Sequence, residues 1–216
     1  TETNQQLVLV IAYGRSGSTL LMNILNSCEG CCIRGENGQS LYKVYESYRA
    51  IVENQNLKGR RSNLQTSPWW GIDDVHAENL GRRFVNTFID EVLRPEENDR
   101  IIGFKEIRYQ SKDVPDLREY LNFLALCKPG MKVVFNHRNI SEVAKSKWWQ
   151  HVPDASQRLS ELDKKFYEFT SPREHFHFDY NRGIVDMDHI HDLIRFLGLD
   201  FNADNIEATL KIRHSY

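Results

Sequence analysis

The first long apolar run, Leu7-Val-Leu-Val-Ile-Ala-Tyr13, has no polar interruption and consists mostly of β-forming residues. A run of that kind predicts a strand covered on both faces, as in a parallel sheet. The period then changes. Leu20, Leu21, Ile24, Leu25 and Cys28 fall at helical intervals, predicting a helix over Ser18–Asn26. A short second strand is expected at Cys31–Gly35, followed by an aromatic-rich helix over Leu41–Val52 and an irregular loop from Asn54 to Gly71. The next helix is predicted from Asp73 or Asp74 to Leu93, stopping before Pro95.

The second half repeats the alternation. Arg100–Lys105 reads as a strand, Pro115 opens a helix carrying Leu117, Leu121 and Leu124, and Lys128-Pro-Gly130 is a turn. Met131–Asn136 is a fourth strand, entering a helix with Asn139 and Glu142 spaced as N-cap and N3. Leu159, Leu162, Phe166 and Phe169 mark another helix, and His175–Asp179 a fifth strand. A last helix with Ile190, Leu193, Ile194 and Leu197 ends at Gly198. Strand–helix alternation without repeats or linkers predicts one α/β domain over residues 1–216, with a central parallel sheet of about five strands flanked by helices.

Composition narrows the function classes. Twenty-eight basic against 30 acidic side chains give a net charge of −2, so bulk electrostatics does not recruit nucleic acid, and an anion site must be a local cluster. No apolar stretch approaches a membrane span. A cytoplasmic location is favoured, although the chain begins at Thr1 and an upstream signal or anchor would lie outside it. Cys28, Cys31 and Cys32 have metal-like spacing but no second ligand pair, and with Cys127 they read as reduced structural thiols. His175/His177 and His189/His191 are spaced as non-ligands, so no metal is expected.

Ligands of parallel sheets gather at the carboxyl ends of the strands. At the first such end stands Tyr13-Gly-Arg-Ser-Gly-Ser-Thr19, a turn that opens a helix. Backbone N–H groups, the positive helix end, the Ser16, Ser18 and Thr19 hydroxyls and Arg15 suit an anion there, with Gly14 and Gly17 allowing the turn. Two residues rather than four separate the glycines, and no Lys follows, which disfavours a magnesium–nucleoside triphosphate clamp. At the fourth strand end, Arg138 is followed by Ser146, placed two helical turns after Asn139 and suited to share a phosphate with the arginine.

A strand ending in Gly-Arg-Ser-Gly-Ser-Thr-Leu-Leu, with a later strand–Arg–helix carrying a Ser eight residues after the Arg, resembles the sulfotransferases that use 3′-phosphoadenosine 5′-phosphosulfate (PAPS). Phe176-His-Phe-Asp-Tyr180 and the helix after it are similar to that family's C-terminal pattern, so the resemblance spans most of the chain. It implies a P-loop nucleotide-binding type of fold. It also implies a 5′-phosphosulfate in the Gly14–Thr19 loop, a 3′-phosphate on Arg138 and Ser146, and 3′,5′-ADP as product. Cys32-Ile-Arg-Gly-Glu-Asn37 resembles the stretch of tyrosylprotein sulfotransferases that carries the catalytic base, which implies Glu36 in that role. Lys105 is similar to a strand-end lysine that touches the transferring group. Those branches continue with a proline where this chain has Glu106 and Ile107, and Arg108 is a competing cation.

The expected activity is therefore in-line transfer of a sulfuryl group to a hydroxyl, with Glu36 as general base and Arg15 and Lys105 neutralising charge. The acceptor is expected to be a small molecule or carbohydrate rather than a protein tyrosine; the oligomeric state is open. Trp69-Trp70, Trp148-Trp149 and Tyr42/Tyr45/Tyr48 are candidate pocket walls, although the helical spacing of Tyr45 and Tyr48 favours core packing. Arg34 is placed either at the site or on the surface, and the basic C-terminal stretch with Lys211, Arg213 and His214 either reaches the 3′-phosphate or frays. A degenerate P-loop kinase or NTPase and a non-catalytic nucleotide-binding module on the same scaffold are the alternatives.

Overall fold

In a computed structural model, which describes residues 5–58, 64–169 and 174–212, five parallel strands form one sheet in the order β2-β3-β1-β4-β5. The strands are β1 (Gln6–Ile11), β2 (Cys31–Arg34), β3 (Ile101–Glu106), β4 (Lys132–His137) and β5 (His175–Asp179). The uninterrupted apolar run took the central place, pairing with β3 on one side and β4 on the other. Alternation along β1 divides the core. Leu7, Leu9 and Ile11 face one layer and Val8 and Val10 the other.

The first layer is built from α2 (Ser40–Lys58), α3 (Ala77–Phe88), α4 (Leu117–Cys127), α5 (Ile140–Ala144) and α6 (Ala155–Tyr167). Tyr42 and Tyr45 are buried in it, their rings packed around Tyr120, and Tyr48 lies against Phe123. That stripe belongs to the core and not to a pocket. The second layer holds α1 (Ser18–Asn26), α8 (Met187–Leu197) and α9 (Ala203–Lys211), with the short α7 (Tyr180–Gly183) directly after β5. Among the described residues no helix is long and apolar enough to cross a membrane.

Several boundaries differ from expectation for local reasons. α2 runs to Lys58, well past Val52, because its polar last turns still find partners: Asn54 Nδ2 donates to Ala50 O and Gln55 Nε2 to Val75 O. The expected loop is correspondingly shorter, and residues 59–63 lie outside the described residues. The helix expected over 73–93 is divided into a 3₁₀ turn at Ile72–Asp74, α3, and a wide π turn at Ile89–Leu93. Arg34 explains how that turn ends: Nε donates to Leu93 O (2.8 Å) and Nη2 to Arg94 O (3.1 Å). It is a helix-end donor to otherwise orphaned carbonyls. α5 stops at Ala144, so Ser146 is not two helical turns from Asn139. Asn139 does cap α5, accepting from Ser141 N, but Glu142 does not close the capping box. Its carboxylate is drawn instead to Arg138 and Asn181. α9 was not anticipated; Asn202 caps it by accepting from Asn205 N. Arg213 and His214 lie outside the described residues.

One glycine fixes the spacing of the central strands. A Cβ at Gly103 would lie 1.8 Å from Val8 O, with backbone and not a flexible side chain in the way. Gly103→Ala is expected to cost about 3 kcal/mol or more of unfolding free energy. Gly35→Ala, where a Cβ meets nothing within 4 Å, should stay within about 0.5 kcal/mol. Urea unfolding of both variants checks this; equal losses would contradict the close approach.

Candidate active site

The turn after β1 begins the site. Arg15 sits at φ 68° and Gly17 at φ 82°, both left-handed, and this pair of reversals turns the chain from the strand into α1. Gly17 is held to glycine twice over, since a Cβ would also lie 2.1 Å from the Tyr180 ring. The turn is anchored from below. Asn136 Nδ2, fully buried on β4, donates to Ser16 O (3.0 Å) and Ser16 Oγ (2.9 Å), while Trp149 Nε1 donates to Gly14 O (2.8 Å).

A cavity of about 610 Å³ opens at the strand ends, and Arg15, Gly17, Ser18, Thr19, Glu36, Lys105 and Arg138 all line it. Residues from four different strand ends thus meet as expected. Three expected residues do not line it. The Ser16 side chain is turned inward to Asn136, and Gly14 faces Trp148 on the far side of that indole. Ser146 Oγ is enclosed without a hydrogen-bond partner among the described residues. Sequence reasoning missed Tyr180, Ile184, Leu210 and Ile212, which form the apolar wall. Tyr180 directly follows β5, so the strand-end rule applied to Asp179 would have found it; the others depend on how α7 and α9 pack.

Two cations are held in different ways. Lys105 Nζ lies 2.5 Å from Glu36 Oε1, with the lysine side chain 6% exposed and the carboxylate 38%. An ammonium buried to that degree needs a close counter-charge, and Glu36 supplies it. Arg138 instead lies at the rim: its Nε and Nη2 donate to Glu142 Oε2 (3.2 Å each), its Nη1 to Arg15 O (3.2 Å), and its guanidinium carbon sits 4.4 Å from the Tyr180 ring centre. Hydrogen bonds from Asn181 and then Arg138 hold the Glu142 carboxyl below its ordinary range.

The other side of β3 carries a feature that the missing proline had obscured. Glu106 is fully buried; its Oε2 accepts from Gln39 N (3.1 Å) and its Oε1 from Ile107 N (2.8 Å). Lys105 and Glu106 point to opposite faces and so grip the segment after β2 at two points, one by its carboxylate and one by its backbone. Arg108 does not compete with Lys105, because it lines a separate cavity.

Beneath Arg138 lies a buried polar chain. Tyr13 OH accepts from Arg138 N (2.8 Å) and lies 3.1 Å from Asp163 Oδ1, which is 2.7 Å from His137 Nδ1; His137 Nε2 is 2.8 Å from His177 Nδ1. Burial, and then the neighbouring His137 and His175, push the His177 pKa down to about 4. No group of three or more potential ligands that could hold a metal occurs among the described residues. The cysteines are free thiols; burial pushes Cys28 and Cys31 up.

A sequence model of the sulfotransferase family matches residues 8–203. None of the curated proteins matches the chain in sequence. Among solved structures, the sulfotransferase domain of the Synechococcus PCC 7002 olefin synthase is similar at 14% identity and a TM-score of 0.53, over 99% of this chain and 80% of that one. Sulfotransferase STF9 from Mycobacterium avium gives 12% and 0.46 over 97% and 67%. A sugar kinase from Janibacter sp. HTCC2649 gives 11% and 0.45 over 94% and 98%. The first of these shows the fold, an α/β sheet of the P-loop type.

The neutral His177 makes stability pH-dependent. The unfolded imidazole takes up its proton near pH 6.5 and the folded one only near 4. Stability present above about pH 6.5 is therefore lost as pH falls towards 4. Urea midpoints at pH 7 and 4.5 should show this fall, and His177→Gln should make it shallower. The residual slope belongs partly to His189, which burial lowers in the same sense. An unchanged slope in the variant would contradict the assignment.

Proposed function

The chain belongs to the sulfotransferase family, and on that footing we propose that it transfers a sulfuryl group from PAPS to a small-molecule or carbohydrate hydroxyl, with Glu36 as general base. The observation that supports this most is the Lys105–Glu36 pair, 2.5 Å apart, facing the same cavity as the turn after β1 and Arg138. A base and three cations there share one space with no metal required.

The residues suit the donor's shape. Arg15, Ser18, Thr19 and the start of α1 offer donors and positive potential to the 5′-phosphosulfate. Arg138, already oriented by Tyr180 and Glu142, offers its guanidinium to the 3′-phosphate. Ser146 is the second donor proposed there, and its hydroxyl is a buried polar group without a partner among the described residues. The apolar wall of Ile184, Leu210 and Ile212 suits the base.

PAPS supplies an activated sulfuryl group, and the protein supplies position and charge. Glu36 accepts the acceptor hydroxyl's proton as the new O–S bond forms, which an alcohol at neutral pH needs. Lys105 holds that carboxylate in place and brings positive charge to the transferring oxygens, stabilisation that costs no reorganisation because the ammonium is already fixed. Arg15 neutralises the departing phosphate.

Two measurements test the reading. Thermal shifts should rank 3′,5′-ADP above 5′-AMP and above ATP with magnesium, a ligand at 100 times its dissociation constant adding about 2.7 kcal/mol. ATP with magnesium ranking first would favour a kinase instead. With labelled donor and an acceptor panel, Glu36→Gln should lower turnover on the order of 10²–10⁴ while 3′,5′-ADP binds as before. Unchanged turnover would remove Glu36 from the chemistry.

A further inference from the structure

The segment leaving β3 divides its cations between two cavities. Lys105 faces the first. Arg108, three residues on, faces a second of about 380 Å³, together with Lys112, Arg158 and Asp113. Three basic groups and one acidic group line a single concavity, in a chain whose overall charge is −2. They come from distant stretches, Arg108 and Lys112 from the turns before α4 and Arg158 from the start of α6. None of the three has a side-chain hydrogen bond or ion pair among the described residues. Arg34, Arg82, Arg100, Arg138, Arg182 and Arg195 all have one.

The two cavities share a wall. Trp148 and Ile107 line both, and the Trp148 ring packs over Gly14, whose neighbour Arg15 faces the first cavity. Convergent unpaired cations in a concave site focus positive potential, and arginine forks match the paired oxygens of carboxylates and phosphates. Lys105 is committed to Glu36, so Arg108 is left to serve a different anion.

We propose that the second cavity is the acceptor's anion seat: the acceptor is a small hydroxyl compound bearing a carboxylate or phosphate. The oxyanion sits among Arg108, Lys112 and Arg158 while the hydroxyl reaches Glu36 past the edge of Trp148. The hydroxyl end rests on the sulfotransferase reading above; the anion seat rests on the second cavity itself.

The test uses the whole chain saturated with 3′,5′-ADP, so that the donor cavity is filled. Inorganic phosphate is titrated at constant ionic strength while tryptophan fluorescence is followed, Trp148 and Trp149 both lining the seat. A saturable change is expected, weakened about tenfold or more in the Arg108→Gln/Arg158→Gln double variant; both side chains are exposed, so the fold should survive. A linear response, or equal titrations in the two proteins, would overturn the proposal. A second arm offers labelled PAPS with glucose, glucuronate and glucose 6-phosphate. Label entering a charged sugar, with its KM raised in the double variant and the donor KM unchanged, supports the seat and shows which oxyanion fills it. Preference for uncharged glucose overturns it, and if no sugar is labelled the phosphate titration decides. Protein that ignores 3′,5′-ADP yet titrates with phosphate through these arginines refutes the donor reading alone.

Discussion

A lysine buried at the end of a strand is a constraint before it is a catalyst. Removing the Lys105 ammonium from water costs several kcal/mol unless a counter-charge comes with it. Glu36 supplies that charge at 2.5 Å. The requirement fixes the segment after β2 relative to β3, and Glu106 fixes it again from the other face through Gln39 N. In the proposed reaction, Glu36 is therefore in position as base before any acceptor arrives, with the Lys105 ammonium already beside it. Fold stability and the proposed proton transfer would then depend on the same contact.

The rest of the site is braced in the same manner, from under the strand ends. Asn136 ties the turn after β1 to β4, and Tyr13 reaches across from the end of β1 to the backbone of Arg138. Asp163, His137 and His177 extend that tie through the first layer to β5. Hydrogen bonds among buried polar groups restrict the backbone, and here they set where two loops leave adjacent strands. The exposed cations above these ties then meet in one cavity without needing to attract one another.

Much of this was legible in the sequence. β1, α1 and β5 follow from uninterrupted β-forming runs and from helical spacing; strand ends pointed to Arg15 and Arg138 and the family resemblance to Glu36 and Lys105, and the four do share a cavity. What failed was decided by partners far along the chain. Arg34 looked available for chemistry but answers carbonyls at Leu93 and Arg94. Glu142 looked like a capping residue, yet it is held by a cation and an amide from another segment. Glu106 looked like a lost proline, and its burial against a backbone N–H of the neighbouring connection leaves no local signal. The helix expected to carry Ser146 ends two residues short of it, at Ala144.

The central claim is that one donor spans the turn after β1 and the Arg138 rim. A crystal of the protein grown with 3′,5′-ADP tests it most directly. The account predicts the 5′-phosphate on the Arg15–Thr19 backbone and the 3′-phosphate against the Arg138 guanidinium, with the Lys105 ammonium still lining the cavity between them. A nucleotide bound elsewhere, or a 3′-phosphate left in solvent away from Arg138, would contradict it.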